Sequence, residues 1–307
     1  MIKVFIDGYT KADTKPKFSS DSFLLRLLEI STKQKIEVVE DIKKSELILL
    51  YPFLSRKTKF KIKLSKELSR NRKYNLFFSG KESVAKVLNY PHDNIIAVAH
   101  ENLDSRWWGW FRDFIVEYKI PRLTFWPESL DPLGARFPYW WNYADFPEID
   151  LDTKIYSRYG EKIRIANLLK PFQPHLSGMD KICFLQRHMI FPRDYQIESL
   201  KKIKTVDTFM HPHNPWLGNK AELLNKYNYV FCAENSSGYG YETEKLPEAW
   251  NSGCFPMGYI KNPLGDFNDE IFLDSIIDQE KILARPLLVK EPNLSSLEKY
   301  LYDTLSK

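Results

Sequence analysis

Short apolar runs alternate with stretches of helical period along the chain. Residues 2–6 read as a strand that ends at the turn Asp7-Gly8. Residues 20–30 follow, with Leu24, Leu25, Leu27 and Leu28 on one side, the spacing of an amphipathic helix. The runs 36–39, 47–51 and 74–78 are further short strands. A second series begins near 180: strand 182–185, helix 193–203, strand 206–210, helix 220–226 and strand 229–232. This alternation predicts parallel α/β layers. Between the two series, Pro147, Pro171, Pro174 and Ser177-Gly178 interrupt the periodicity, so a domain boundary is expected within 146–180. The division read from this is 1–155 and 156–294, with a last helix in 295–307 packing on the outside and able to cross back to the first domain.

A chain of 307 residues has room for two cores of about 150 residues each. Cys183, Cys232 and Cys254 lie in apolar runs without paired or metal-like spacing, which predicts buried free thiols in a reducing compartment. The net charge is +5, and the basic excess concentrates in 56–73, where Arg56, Lys57, Lys59, Lys61, Lys63, Lys66, Arg70, Arg72 and Lys73 face the single acid Glu67. Two readings stay open: a solvated face, or a peripheral contact with anionic lipid or a lipid-linked glycan. Nucleic acid is not expected, because no recognition motif accompanies the patch. The N-terminus reads as a strand, not a signal peptide, and no run of about 18 apolar residues occurs. A cytoplasmic protein, at the inner membrane surface if the patch binds lipid, is the expectation.

The segment from Phe231 to Trp250 carries the candidate chemistry. An apolar strand passes through a small-residue loop with Gly238 and Gly240 and ends in Thr243-Glu-Lys-Leu, a helix start. Such an arrangement suits an anion, since unpaired backbone N–H groups and the helix dipole face one point. Lys245 in the first turn is misplaced for the dipole and is better explained by an anionic ligand. No Gly-Lys-Ser/Thr closes the loop, so it is not a P-loop.

The order of residues is more specific. Glu234-Asn-Ser-Ser-Gly-Tyr-Gly-Tyr-Glu-Thr-Glu-Lys245, followed by Ala249 and Gly253-Cys-Phe-Pro256, closely resembles the donor-binding motif of the α-1,3/1,4-fucosyltransferases, glycosyltransferase family 10, in its bacterial, Helicobacter-like branch. The resemblance is strong over 181–274 and thin elsewhere. It implies a GT-B glycosyltransferase fold, two Rossmann-like domains facing a cleft, with the acceptor in the N-terminal half and a GDP-sugar in the C-terminal half. The implied reaction is inverting transfer of L-fucose from GDP-fucose to a surface glycan acceptor, lipopolysaccharide or capsule, without metal or other cofactor. Another GDP-sugar, or an inactive glycan-binding protein of the same fold, are the alternatives.

The resemblance also assigns roles. Arg193, in Phe191-Pro-Arg-Asp-Tyr, and Lys245 match the cations that grip the diphosphate. Glu244 matches the residue that accepts from ribose hydroxyls, and Asn235 and Tyr241 those that line the donor pocket. Glu234 is open to a structural role, and Glu242 fills a variable slot expected to face solvent. Tyr74-Asn-Leu-Phe-Phe-Ser-Gly-Lys-Glu-Ser83 resembles the loop that carries the catalytic base, which points to Glu82. Lys81 stands where the family acid often follows the glycine, so Glu101 and Glu128 remain competing carboxylates. Six of the eight tryptophans fall between 107 and 141, and Trp140 and Trp141 are the candidates for a sugar-stacking platform. Asp150-Leu-Asp152 spells a metal-binding Asp-x-Asp but falls between domains, and His211-Pro-His213 lacks a third ligand.

Overall fold

The computed structural model describes residues 1–8, 22–69, 81–99, 101–151, 159–186, 189, 193–210, 214–236, 238–258, 266–268 and 283–306. The chain groups into two compact units, Met1–Pro138 with Leu294–Lys307, and Tyr139–Asn293. The first unit holds β1 (Ile2–Asp7), α1 (Phe23–Thr32), β2 (Ile36–Val38), β3 (Leu47–Leu50), α2 (Arg56–Ser69), α3 (Lys81–Leu88), β4 (Ile95–Val98), α4 (Gly109–Glu117), β5 (Arg122–Thr124) and β6 (Gly134–Arg136). Its strands form one parallel sheet in the order β2-β1-β3-β4-β5-β6. Every residue of β3 and β4 is buried, as central parallel strands covered on both faces must be.

The helices follow from local chemistry. Ser22 caps α1, its hydroxyl accepting from Leu25 N–H at 3.4 Å, and Lys33 ends the helix in the left-handed region. Leu24, Leu25, Leu27 and Leu28 are buried, as their spacing predicts. The described part of the basic run, 56–69, is a helix, α2, begun by Ser55, whose Oγ accepts from Thr58 N–H at 3.1 Å. The Lys59 ammonium rests 4.9 Å from the Trp110 ring and 5.7 Å from that of Trp108. The C-terminal helix Ser295–Leu305 belongs to this unit. Tyr300 Oη accepts from Arg122 N–H at 2.8 Å and donates to the Leu133 carbonyl at 2.7 Å. The strand expected over 74–78 lies outside the described residues.

The second unit holds α5 (Ile165–Leu168), β7 (Met179–Gln186), α6 (Arg193–Lys201), β8 (Val206–Met210), α7 (Lys220–Leu224), β9 (Tyr227–Phe231), α8 (Lys245–Asn251) and β10 (Phe255–Met257). Its sheet is parallel in the order β10-β9-β7-β8. The division between units falls at 138/139, ahead of the expected 155/156. The reason is that the proline-rich stretch is packed onto the second unit. Trp140 packs on Phe267 at 5.9 Å between ring centres, Asp145 N–H donates to the Ile163 carbonyl at 3.0 Å, and Asp145 Oδ1 accepts from Ile165 N–H at 2.7 Å. Gly253, at φ 68°, turns the chain into β10 against the Gln173 carbonyl, where a Cβ would come within 2.9 Å. Among the described residues no helix is long and apolar enough to cross a membrane.

Candidate functional site

Ligands of open parallel sheets gather at the carboxyl ends of strands, where the strand order reverses. In the second unit the chain runs from β7 outward to β8 and returns on the other side to β9, so the reversal lies between β7 and β9. Both segments that leave those two strands carry candidate residues. Arg193 opens α6 after β7, and the loop 232–244 leaves β9. The Arg193 side chain is buried and its Nε donates to the Ala233 carbonyl at 3.2 Å, joining the two segments at this point. Burial lowers the guanidinium's proton affinity, opposed by Glu234, Tyr241 and Glu244. An arginine taken out of water beside these groups is one held for a purpose other than solubility.

The loop is braced from within. Glu234 Oε1 accepts from Thr243 N–H at 2.9 Å and from Thr243 Oγ1 at 2.6 Å, while Glu234 Oε2 lies 2.7 Å from Lys245 Nζ. Lys245 also donates to Thr243 Oγ1 at 2.6 Å. Glu234 thus ties the end of β9 to the start of α8, a structural role. An ammonium has three donors, and among the described residues Lys245 spends two of them here, leaving one for a ligand. Tyr241 is buried, with its hydroxyl 3.5 Å from Asn235 Oδ1. Gly240 precedes it at φ 78°, a conformation that a side chain would strain. Glu242 is buried, not solvent-facing as expected.

Glu244 stands at the start of α8, 3.9 Å from Lys245 Nζ and 3.8 Å from Lys220 Nζ. Burial raises its proton affinity, but the two ammonium groups outweigh this and hold its carboxyl down at about 2. It is therefore an ionised acceptor near neutral pH. Lys220 also pairs with Glu248, one turn further along α8. Burial pushes the Glu248 carboxyl up to about 7, against the pull of Lys220. Sequence reasoning misses this pair. A signal is nonetheless present: Lys220, like Lys245, stands in the first turn of a helix, where the dipole disfavours a cation.

The structure thus brings Arg193, Glu234, Asn235, Tyr241, Glu244 and Lys245 together on the second unit, three cations including Lys220 among three carboxylates. The remaining candidates are not among its contacts within the second unit. Glu82 is exposed in the first turn of α3, Glu101 is half-buried beyond β4, and Glu128 is exposed beyond β5, all in the first unit. Trp140 and Trp141 belong to the second unit, not the first, and both are buried. Trp140 packs on Trp141 and Phe267, and Trp141 also on Phe146. Neither offers an open face for a sugar ring. Their apolar neighbours, absent from any local pattern, decide this. Asp150 is exposed and pairs with Lys162 at 3.7 Å. Asp152, His211 and His213 lie outside the described residues, among which no group of three or more His, Cys, Asp or Glu could hold a metal.

Fold and site together define a two-unit α/β protein of GT-B type fold with a cluster of charged residues at the switch point of its second sheet. Known proteins agree with the fold over the whole chain and with the sequence over part of it. The alpha-(1,3)-fucosyltransferase FucT of Helicobacter pylori is 41% identical over 58 residues, 18% of this chain and 12% of that protein's length. No family model matches. A crystal structure of an alpha1,3-fucosyltransferase aligns with all of this chain and 81% of its own at a TM-score of 0.51 and 18% identity. Structures of alpha1,3-fucosyltransferase with GDP and with GDP-fucose align with all of this chain and 90% of theirs, at a TM-score of 0.56 and identities of 14% and 15%. At such identities the likeness is one of fold. The chain resembles the α-1,3-fucosyltransferases.

Proposed function

We propose that the chain is an inverting fucosyltransferase that moves L-fucose from GDP-fucose to a hydroxyl of a surface glycan, of lipopolysaccharide or capsule type. The observation that carries this reading is the set of Arg193, Lys245 and Glu244 gathered at the reversal between β7 and β9. The family resemblance of the segment and the solved neighbours with GDP and GDP-fucose support it. Departure of a diphosphate builds negative charge, and two fixed cations stabilise that charge in the transition state. Arg193 supplies a planar fork suited to paired phosphate oxygens and Lys245 a compact charge. Glu244 takes the ribose hydroxyls, and Asn235 and Tyr241 line the same pocket. With that charge supplied by side chains, no metal is required. Glu82 from the first unit serves as the base that deprotonates the acceptor hydroxyl, and a single in-line displacement inverts the anomeric centre.

A donor screen tests this: GDP release is measured from several GDP-sugars with and without N-acetylglucosamine-type glycans. Acceptor-dependent release from GDP-fucose, with a product of opposite anomeric configuration by NMR, is expected. Release from a different GDP-sugar alone, or from none, refutes the proposal.

A peripheral membrane contact through 56–73 is part of the same reading. Helix α2 exposes Lys57, Lys63, Leu64 and Phe60, the last 65% exposed, and exposed apolar groups among cations suit an anionic bilayer surface. Co-sedimentation with phosphatidylserine vesicles but not with phosphatidylcholine vesicles, lost in Phe60→Ser/Lys63→Glu, is the expected result. Equal binding to both vesicle types would remove it.

A further inference from the structure

We infer that Lys220 is a positioning residue for the donor: bonded to Glu248 and facing Glu244, it keeps the Glu244 carboxylate in place as acceptor for the ribose hydroxyls. The inference rests on the donor reading above and names a residue that the motif does not contain. Lys220 is the first residue of α7, whose start is fixed twice. Asn219 Oδ1 and the Tyr159 carbonyl each accept from Ala221 N–H at 2.9 Å. From there the ammonium reaches into α8, where it bonds Glu248 Oε2 and lies 3.8 Å from Glu244 Oε1. Its side chain is 15% exposed and that of Glu248 is 3% exposed.

This placement has a cost and a reason. A lysine in the first turn of a helix meets the positive end of the dipole, and it also loses most of its water. Glu244 and Glu248 are four residues apart at the start of α8 and therefore share one helix face, where like charges repel. A cation from another element resolves both problems. With Lys220 gone, Glu244 would face Glu248 without the cation that pairs with both, keeping Lys245 beside it and Arg193 further off. It would then be free to turn away from its fixed position, and a carboxylate no longer held in place loses part of its worth as an acceptor for a diol. The low proton affinity of Glu244, maintained by Lys245 and Lys220 together, agrees with this account.

The test compares GDP with 2′,3′-dideoxy-GDP by calorimetry at pH 8, above the value of about 7 that Glu248 has beside Lys220 in the parent. The parent should bind GDP about tenfold or more tightly than the dideoxy nucleotide, the scale of hydrogen bonds to a charged acceptor. Lys220→Met should weaken GDP and leave the dideoxy nucleotide nearly unaffected, so that the ratio falls toward one, as in Glu244→Gln. Lys220→Arg, which keeps the cation, should retain much of the ratio. Because Lys220→Met strands a buried carboxylate and endangers folding, Lys220→Met/Glu248→Met removes the repelling charge as well and should show a fall in the same direction, smaller than that of Lys220→Met, from the lost ammonium beside Glu244. If Lys220→Met or the double variant weakens both nucleotides alike while Glu244→Gln lowers the ratio, Lys220 is merely structural and the inference is overturned, with Glu244's role intact. A parent that binds the two nucleotides equally overturns the ribose reading of Glu244 and the inference with it.

Discussion

Lys245→Ala separates two roles that fall on one ammonium. Lys245 and Glu234 are 2.7 Å apart, with side chains only 14% and 16% exposed. Removing the cation leaves Glu234 and Glu244 with a nearly buried surplus of negative charge. Breaking one side of such a pair costs about 3 kcal/mol, which lowers Tm by roughly 6–12 °C in a unit of this size. Loss of the proposed contact to the diphosphate, a charged hydrogen bond of about 1.5–3 kcal/mol, should weaken GDP by roughly 10–150-fold. The variant Lys245→Ala/Glu234→Gln tells the two apart. Gln keeps an amide oxygen for Thr243 and removes the stranded charge, so much of the lost Tm should return while GDP affinity stays low. Differential scanning fluorimetry and GDP calorimetry read the two quantities. GDP affinity within twofold of the parent in Lys245→Ala would refute the donor assignment. Recovery of both Tm and affinity in the double variant would reduce Lys245 to a structural brace.

Glu82→Gln should bind GDP like the parent and transfer about 10²–10⁴-fold more slowly. Retained activity there, with loss in Glu101→Gln or Glu128→Gln, would move the base to one of those carboxylates. Transfer should survive EDTA, and loss on chelation with recovery in Mn²⁺ would oppose the cation-only reading. The buried Glu248 carboxyl, at about 7 beside Lys220, Glu244 and Lys245, binds its proton more tightly folded than unfolded. Its contribution to stability is therefore present below the ordinary carboxylate range and lost as pH rises to about 7. The stability of the parent relative to Glu248→Gln should fall across that window, by up to about 1.4 kcal/mol per pH unit. A difference that stays flat or grows in chemical denaturation would contradict this.

Local order makes much of the charged cluster legible in the chain itself. Asn235, Tyr241, Glu244 and Lys245 follow one another in a single segment, and the charge oddity of Lys245 is visible in its helix position alone, whereas Arg193 joins them only in the fold, through the Ala233 carbonyl. The same oddity at Lys220 acquires meaning only with α7 and α8 side by side, since its partners Glu244 and Glu248 are on another helix. Aromatic density suggests a platform at Trp140 and Trp141. Packing on Phe146 and Phe267 puts them in the core instead, and indoles buried on all sides cannot stack on a sugar.

By itself the sequence determined the parallel α/β class, most strands and helices of the second unit, and the charged loop after β9. Periodicity, glycine, proline and capping residues act within a few residues, so their outcome is written in the order of the chain. Tertiary structure alone decided that 139–178 packs with the second unit, that the C-terminal helix clasps the first through Tyr300, and that 56–69 folds as a helix braced by Lys59 on two indoles. It also decided which carboxylates share a cation. Burial and ion pairing depend on partners far apart in sequence, and the free energies that select among them come from desolvation and close packing, which no local pattern records.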